Sequence, residues 1–310
     1  MLEPGKLALK RYEGNPILEP VKEHRWESGF VFNCGVIRLN EKIHILYRAQ
    51  ENKTGISTIG YASTYDGFDI EERLPKPVFT PCPDSGFECF GVEDPRLTPV
   101  DDTIFMCYTA FGKISGKKDI PVPQIGITSI HIDDFLAKKW NWKKRIYPFP
   151  RVSNKDAAIL PEKVNGKYVL IHRISPHIWI GYSDDLENWF GNKIIMSPES
   201  DWEYLRIGLG SQPIKTEKGW LVVYHGIDRD CVYRLGFVFL DLDDPEKIIY
   251  RSRNPIFEPV ERFELFGNVP DVVFTCGAVI QDDRLFVYYG GADQVIGVAT
   301  IDMNNILNAW

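Results

Sequence analysis

The chain has 310 residues, 44% hydrophobic and 25% charged, with a net charge of −7 at pH 7. That is ample apolar material for a large core, and the acidic balance excludes a general nucleic-acid binder, which needs a basic face to neutralise phosphates. Glycine (25), proline (21) and aromatic residues (13%) are abundant, a balance that favours strands and turns over helices.

The opening stretch, MLEPGKLALKRYEGNP, has no apolar run of signal-peptide length, and no later stretch approaches a membrane span. A soluble, cytoplasmic protein with no membrane partner is therefore expected. Cys34, Cys82, Cys89, Cys107, Cys231 and Cys276 form no C-x-x-C pair and no metal-ligand spacing with the histidines, so neither a metal site nor a disulfide is expected. Cys34, Cys107 and Cys276 fall in apolar strand-like runs, where a free thiol acts as a small buried hydrophobe.

Along the chain one pattern recurs five times: HILYRA (44–49), FMCYTA (105–110), VLIHRI (169–174), LVVYHG (221–226) and FVYYGG (286–291). Each is preceded at hairpin spacing by another strand-like run: FNCGVIRL, EDPRLTPV, AAILPEKV, GSQPIKT and TCGAVI. Each is followed by a run rich in glycine and β-branched residues: STIGYAST, QIGITSIHI, HIWIGYSDD, YRLGFVFLD and QVIGVATID.

A fourth, proline-bounded run closes four of the units: KPVFTP (76–81), IYPFP (146–150), IIMSP (194–198) and NPIFEP (254–259). The last unit lacks it, and its counterpart, NPILEP (15–20), stands at the other end of the chain. A chain that begins with the outer strand of its final unit closes a ring. The pattern predicts an all-β fold, a single domain over 1–310, built as a five-bladed β-propeller with the N-terminal strand completing the last blade. Proline at both ends of that strand suits an edge position. A pair of packed sandwiches is the competing architecture. Segments 112–124 and 133–145 lengthen the second unit and predict a rim loop and a short helix; Trp140 and Trp142 either pack the blade edge or line a sugar subsite.

Within the second unit, GVEDPRL (91–97) concentrates chemistry. Glu93 and Asp94 are adjacent, Pro95 stiffens the chain, and a strand is expected from Arg96. In a regular strand neighbours point to opposite faces, which predicts that Glu93 and Asp94 do not serve one pocket alike. The plain alternative is an acidic turn capped by proline.

In a propeller the first two strands of each blade converge on one end of the axis. The repeat aligns Asn33, Asp94, Asp156, Gln212 and Thr275 on first strands. Arg48, Thr109, Arg173, His225 and Gly290 align on second strands, with Lys155 and Asp293 close by. A position that only packs would converge on one residue type, whereas this one holds Arg, Thr, Arg, His and Gly. Cations and carboxylates meeting in one funnel suit a polyhydroxylated, anionic or phosphate-bearing ligand. A wet polar channel is the alternative.

GVEDPRL, NKDAAILPEKVNGKYVLIHR, PHIWIGYSDDLENW, GWLVVYHG, YRLGFVFLDLDDP and YYGGADQVIGVA, taken together, resemble glycoside hydrolase family 130, the β-mannoside phosphorylases and related mannosidases. The likeness runs from about Asn15 to Asp302. It implies a five-bladed β-propeller and a glycosyltransferase-type phosphorylase that cleaves a β-mannosidic bond with inorganic phosphate, inverting the anomeric centre to give α-mannose 1-phosphate.

It also implies that Asp94 is the general acid, in some members acting through a mannose hydroxyl, and that the pocket raises its pKa. Arg48, Lys155, Arg173, His225 and Tyr233 would grip phosphate. Asn33 and Asp293 would hold the mannose, with Glu93 and Asp156 beside them on the substrate side. Phosphate attacks without a base, so one carboxyl suffices where hydrolysis needs two. No organic cofactor or metal is implied; phosphate is a co-substrate.

Two departures, Asn154 in NKDAA and the GSQPI segment (210–214), bear on acceptor preference. A β-mannosidase on the same fold and a non-catalytic carbohydrate-binding propeller are the rival readings. The linkage, β-1,2 or β-1,4, the acceptor, and the number of subunits, a homo-oligomer included, stay open.

Overall fold

The computed structural model describes residues 7–82, 84–113 and 120–309. Its described residues are all-β, with only short helices, among them Ile132–Leu136, which overlaps the start of the 133–145 segment expected to be helical. Among the described residues the strands form four sheets, the largest of which joins two antiparallel groups through a single parallel pair, Ser57 opposite Gly91.

Taken by antiparallel pairing alone, the chain repeats one arrangement. The groups begin with Phe30–Leu39, Gly91–Val100, Lys155–Ile159, Arg206–Leu209 and Val273–Gln281. Their second strands are Lys42–Gln50, Thr103–Lys113, Tyr168–Ile174, Gly219–Ile227 and Arg284–Gly291. First strands of the first four groups pack in succession, the fourth group meets Val273–Gln281 through Gly219–Ile227 and Tyr233–Leu240, and Val273–Gln281 packs back on Phe30–Leu39. Apolar side chains fill the spaces between groups; Leu221, Phe237, Val273 and Leu285, for example, share one core and are fully buried. Each such side chain contributes about 1.5–3 kcal/mol when buried.

The N-terminal segment does pair with the last group, through a different stretch from the one expected. Lys10–Arg11 forms the strand, opposite Thr300 and Ala299, while NPILEP contributes only a bridge between Leu18 and Ile296. Other proline-bounded runs behave alike: Phe79 bridges Ile59, Ile146 bridges Ile127 and Phe257 bridges Leu235. Flanking prolines remove the donors a longer ladder would need.

A buried Glu–Tyr–Arg cluster recurs in four groups. Tyr47 donates to Glu27 at 2.8 Å, and Arg73 reaches the same carboxylate at 2.5 Å. Tyr108 and Arg145 hold Glu88, and Tyr224 and Arg251 hold Glu203 at 2.5 and 2.7 Å. In the last group Tyr289 donates to Glu264 at 2.8 Å, and the arginine is Arg11, also at 2.8 Å. The terminal strand thus completes the final group in chemistry as well as in pairing. In the third group the tyrosine position holds His172, paired with Asn154 at 3.0 Å.

Trp140 and Trp142 pack between groups, Trp140 against Tyr61 and Phe135, and Trp142 against Phe79 with its indole N–H donated to Val78 O. Neither lines the cavity that Asp94 opens on. Of the rim loop expected over 112–124, residues 114–119 lie outside the described residues. Cys34, Cys107 and Cys276 are buried and free, and burial pushes the Cys107 thiol up to about 12.

Candidate active site

The first strands are not regular where the hub residues sit. Pairing slips between Phe32 and Cys34, between Glu93 and Arg96, and between Lys155 and Ala158. Asn33, Asp94 and Asp156 occupy these bulges with φ of 47°, 52° and 52°. Asn and Asp tolerate the left-handed region better than other side-chain-bearing residues, and a bulge re-aims the side chain it carries.

The bulge lets these adjacent carboxylates reach common cations, while only Asp94 lines the pocket beside them. Glu93 and Asp94 are both gripped by the same cations: Arg48 contacts Glu93 at 2.6 Å and Asp94 at 3.2 Å, and Lys155 lies 3.7 and 3.6 Å from them. Asn33 donates to Asp94 at 2.9 Å. Gly290 leaves space for this amide, since a Cβ there would sit 2.4 Å from Asn33 Oδ1.

These groups open on a cavity of about 300 Å³, walled by Val269, Val272 and Phe274 and carrying Arg48, Asp94, Lys155, Arg173, Arg206 and Asp293 on its polar side. Asn33, Asp156 and Tyr233 also reach it. A larger hollow of about 940 Å³, between residues 250–256 and the C-terminal helix Met303–Leu307, has no carboxylate among the described residues that line it.

Asp156 is held by Arg173 at 3.1 Å and by Arg96 at 3.3 Å. Arg96 is fully buried, and it also donates to the carbonyls of Gly210 at 2.7 Å, Leu209 at 2.8 Å and Asp94 at 3.2 Å. One guanidinium therefore ties the second, third and fourth groups together beneath the cavity. Sequence reading quoted Arg96 in its motif and gave it no role; five donors in a rigid fork were the available signal.

The electrostatics divide the carboxyls. Burial works to raise Asp94, but Arg48, Lys155 and the Asn33 bond outweigh it and hold the group well below the usual carboxylate range. Asp156 is likewise lowered, burial being outweighed by Arg173 and Arg96. Asp293 goes the other way: burial, with Asp94 and Glu93 adding to it against Arg48 and Lys155, pushes it up to about 6. The expectation that the pocket itself raises Asp94 is thus not met by the protein's own groups.

Other expected residues take different places. His225 is fully buried, its ring tilted against Phe274 with centroids 4.6 Å apart, and its Nε2 is 3.7 Å from Asp156. Burial pushes its imidazole down to about 3, so it is a neutral ring beneath the cradle and not on the cavity surface. Glu93 serves as Arg48's partner and does not line the cavity. Gln212 donates to the carbonyls of Ala278 and Val36, and Thr275 caps its own bulge by donating to Tyr288 O at 2.6 Å.

The Gln212 misplacement has one cause. GSQPI is a connection between Arg206–Leu209 and Ile214–Thr216, and His225 faces Gly208, not Gln212. A Cβ at Gly208 would lie 2.4 Å from His225 Cε1 and 2.5 Å from Asp156 Oδ2. Placing the strand too late also hid Arg206, a cavity-lining cation bonded to Tyr233 OH at 3.0 Å. Asn154, buried against His172, and Gln212 both lie away from the cavity.

Residues 8–310 match a family profile described as beta-1,4-mannooligosaccharide phosphorylase. The chain is 44% identical over 307 residues to a 1,2-beta-oligomannan phosphorylase of Thermoanaerobacter sp. (strain X514), covering 97% of this chain and 99% of that one. It is 47% identical over 311 residues to a beta-1,2-mannobiose phosphorylase of the same organism, covering 96% and 98%. Among solved structures, the beta-1,2-mannobiose phosphorylase of Listeria innocua in complex with beta-1,2-mannobiose superposes with a TM-score of 0.81 at 27% identity, covering 96% and 98%.

Proposed function

The chain belongs to glycoside hydrolase family 130, and on that premise we propose that it is an inverting β-mannoside phosphorylase, with β-1,2-linked mannosides as its substrates and α-mannose 1-phosphate as product. The linkage follows the two relatives at 44% and 47% identity, both named for β-1,2 substrates. We further propose a single-domain five-bladed propeller over 1–310, closed by Lys10–Arg11, and a cytoplasmic enzyme needing no cofactor. The five antiparallel groups and the return of Val273–Gln281 onto Phe30–Leu39 support the propeller. No described helix is long and apolar enough to cross a membrane.

The observation that carries the chemistry is Asp94 on a cavity that also holds Arg48, Lys155 and Arg173. Arg48 and Lys155, with the Asn33 bond, hold Asp94 ionised, so a phosphate dianion bound among the cavity's cations offsets their charge and lifts the Asp94 pKa toward protonation. Co-substrate binding then arms the acid. Protonated Asp94 donates to the glycosidic oxygen, directly or through a mannose hydroxyl. A phosphate oxygen forms a bond to C1 from the opposite face as the C1–O bond to the acceptor breaks. The acceptor leaves as an alcohol, mannose 1-phosphate forms with inversion, and phosphate ultimately supplies the proton that restores the acid.

The test is cleavage of β-1,2-mannobiose with and without phosphate, followed by ³¹P NMR. A phosphate requirement and a mannose 1-phosphate signal support the reading. Free mannose released at the same rate without phosphate means a β-mannosidase, and binding without turnover means a carbohydrate-binding propeller.

A further inference from the structure

Four cations line or border the cavity, and three already have carboxylate partners. Arg48 is shared between Glu93 and Asp94, Lys155 faces the same two groups, and Arg173 is paired with Asp156 at 3.1 Å. Arg206 differs. Among the described residues no carboxylate lies within ion-pair distance of it, and its recorded side-chain partner is the neutral hydroxyl of Tyr233 at 3.0 Å.

The consequence is a lopsided cavity. Asp94 and Asp293 belong with Arg48 and Lys155, whose charges act on both, so that end is close to compensated. The Arg206 end holds an unbalanced positive charge against the apolar wall of Val269, Val272 and Phe274, where low polarity strengthens attraction for an anion. Tyr233 accepts the Arg206 hydrogen bond on its oxygen and so keeps its own O–H free to donate. A guanidinium and a phenol side by side fit two oxygens of a tetrahedral anion.

Resting on the phosphorolytic reading, we propose that Arg206, presented with Tyr233, is the primary anchor of the phosphate co-substrate. The paired cations Arg48, Lys155 and Arg173 complete the grip only after exchanging part of their carboxylate contacts. Arg206 thereby favours an anionic nucleophile over water at this end of the cavity.

Arg206→Ala and Arg206→Lys are compared with the wild type by initial rates over a matrix of phosphate and β-1,2-mannobiose concentrations. Calorimetric titration with inorganic phosphate alone is run on the same proteins, with thermal unfolding as a check on folding. The alanine variant is expected to raise the phosphate KM and Kd about 10- to 100-fold, the loss of one charge-assisted contact. Its kcat at saturating phosphate and its mannoside KM should stay within a few-fold of wild type. Lysine should recover part of the loss, as should added guanidinium ion.

A phosphate Kd within twofold of wild type in a folded Arg206→Ala protein overturns the proposal, as does a parallel rise of both KM values. Failure of the underlying reading looks different: the wild type cleaves without phosphate, or binds none in the titration.

Discussion

Arg48 binds two adjacent carboxylates at once, Glu93 at 2.6 Å and Asp94 at 3.2 Å. Neighbours along a flat strand could not share a guanidinium in this way; the bulge at Asp94, with φ of 52°, turns both toward it. The candidate acid therefore sits inside a charge network whose balance phosphate binding would change.

Asp94→Asn removes the group assigned to protonate the leaving oxygen. Its turnover is expected to fall by about 100- to 10,000-fold, with the Kd for mannobiose changed less than tenfold. Steady-state kinetics and calorimetry separate the two quantities, and near-normal turnover would place the acid elsewhere.

Arg48→Ala strips a buried pair of carboxylates of their nearer cation. Breaking a buried ion pair from one side costs about 3 kcal/mol. A melting temperature lowered by several degrees is expected, with a steep rise in the phosphate KM. Arg48→Ala combined with Glu93→Gln should recover part of the stability, because one stranded charge is then gone; no recovery in thermal unfolding would argue against the shared network.

The pH dependence of stability has two opposing parts. Asp94 and Asp156 are depressed in the folded protein, so their contribution is present above the ordinary carboxylate range and is lost as pH falls through their lowered values. Asp293 is raised from 3.8 to about 6, so its contribution is fully present below about 4 and is lost as pH rises through about 6. Asp293→Asn should therefore be more stable than wild type at pH 7.5, by on the order of 1–2 kcal/mol, and gain nothing at pH 4. Urea unfolding at the two pH values checks this; an equal gain at both would remove the charge explanation.

Arg11→Ala leaves Glu264 buried with only Tyr289 and backbone N–H donors. A loss of about 3 kcal/mol is expected, with hydrogen exchange rising first in Val295–Asp302, the strand that Lys10–Arg11 covers. Uniform acceleration across all strands would show that the N-terminal strand is not a local clasp.

Gly208→Ala places a methyl against His225 and Asp156. Both must move, and Asp156 carries Arg173 with it, so the phosphate KM should rise while the protein still folds. Unchanged kinetics would mean that the Gly208 contact is slack.

What could be read in advance was periodic. Alternating apolar runs, glycine after each second strand and proline-bounded outer runs report backbone pairing, which depends on residues near one another in the chain. Arg48, Lys155, Arg173 and Asp293 were therefore brought beside Asp94 by aligning units, whereas Tyr233 came only from the resemblance to a known family. Gln212 was misplaced because the fourth unit interrupts its first strand: Arg206–Leu209 is short, and GSQPI after it looks more strand-like than it is. His225 was placed on its second strand, where the structure sets it opposite Gly208 and not Gln212, and such alignment does not tell how deep a ring sits.

The sequence by itself determined the repeated units, the pairing of the two chain ends and the residue types that could meet, because hydrophobic period and turn chemistry are local properties. Only the tertiary structure decided which charges compensate one another. It put Glu93 and Asp94 on one guanidinium, buried His225, gave Arg96 to three groups and left Arg206 without a carboxylate among the described residues. Those outcomes depend on bulges and on distances between groups far apart in the chain, where an ångström or two separates an ion pair from an unpaired charge.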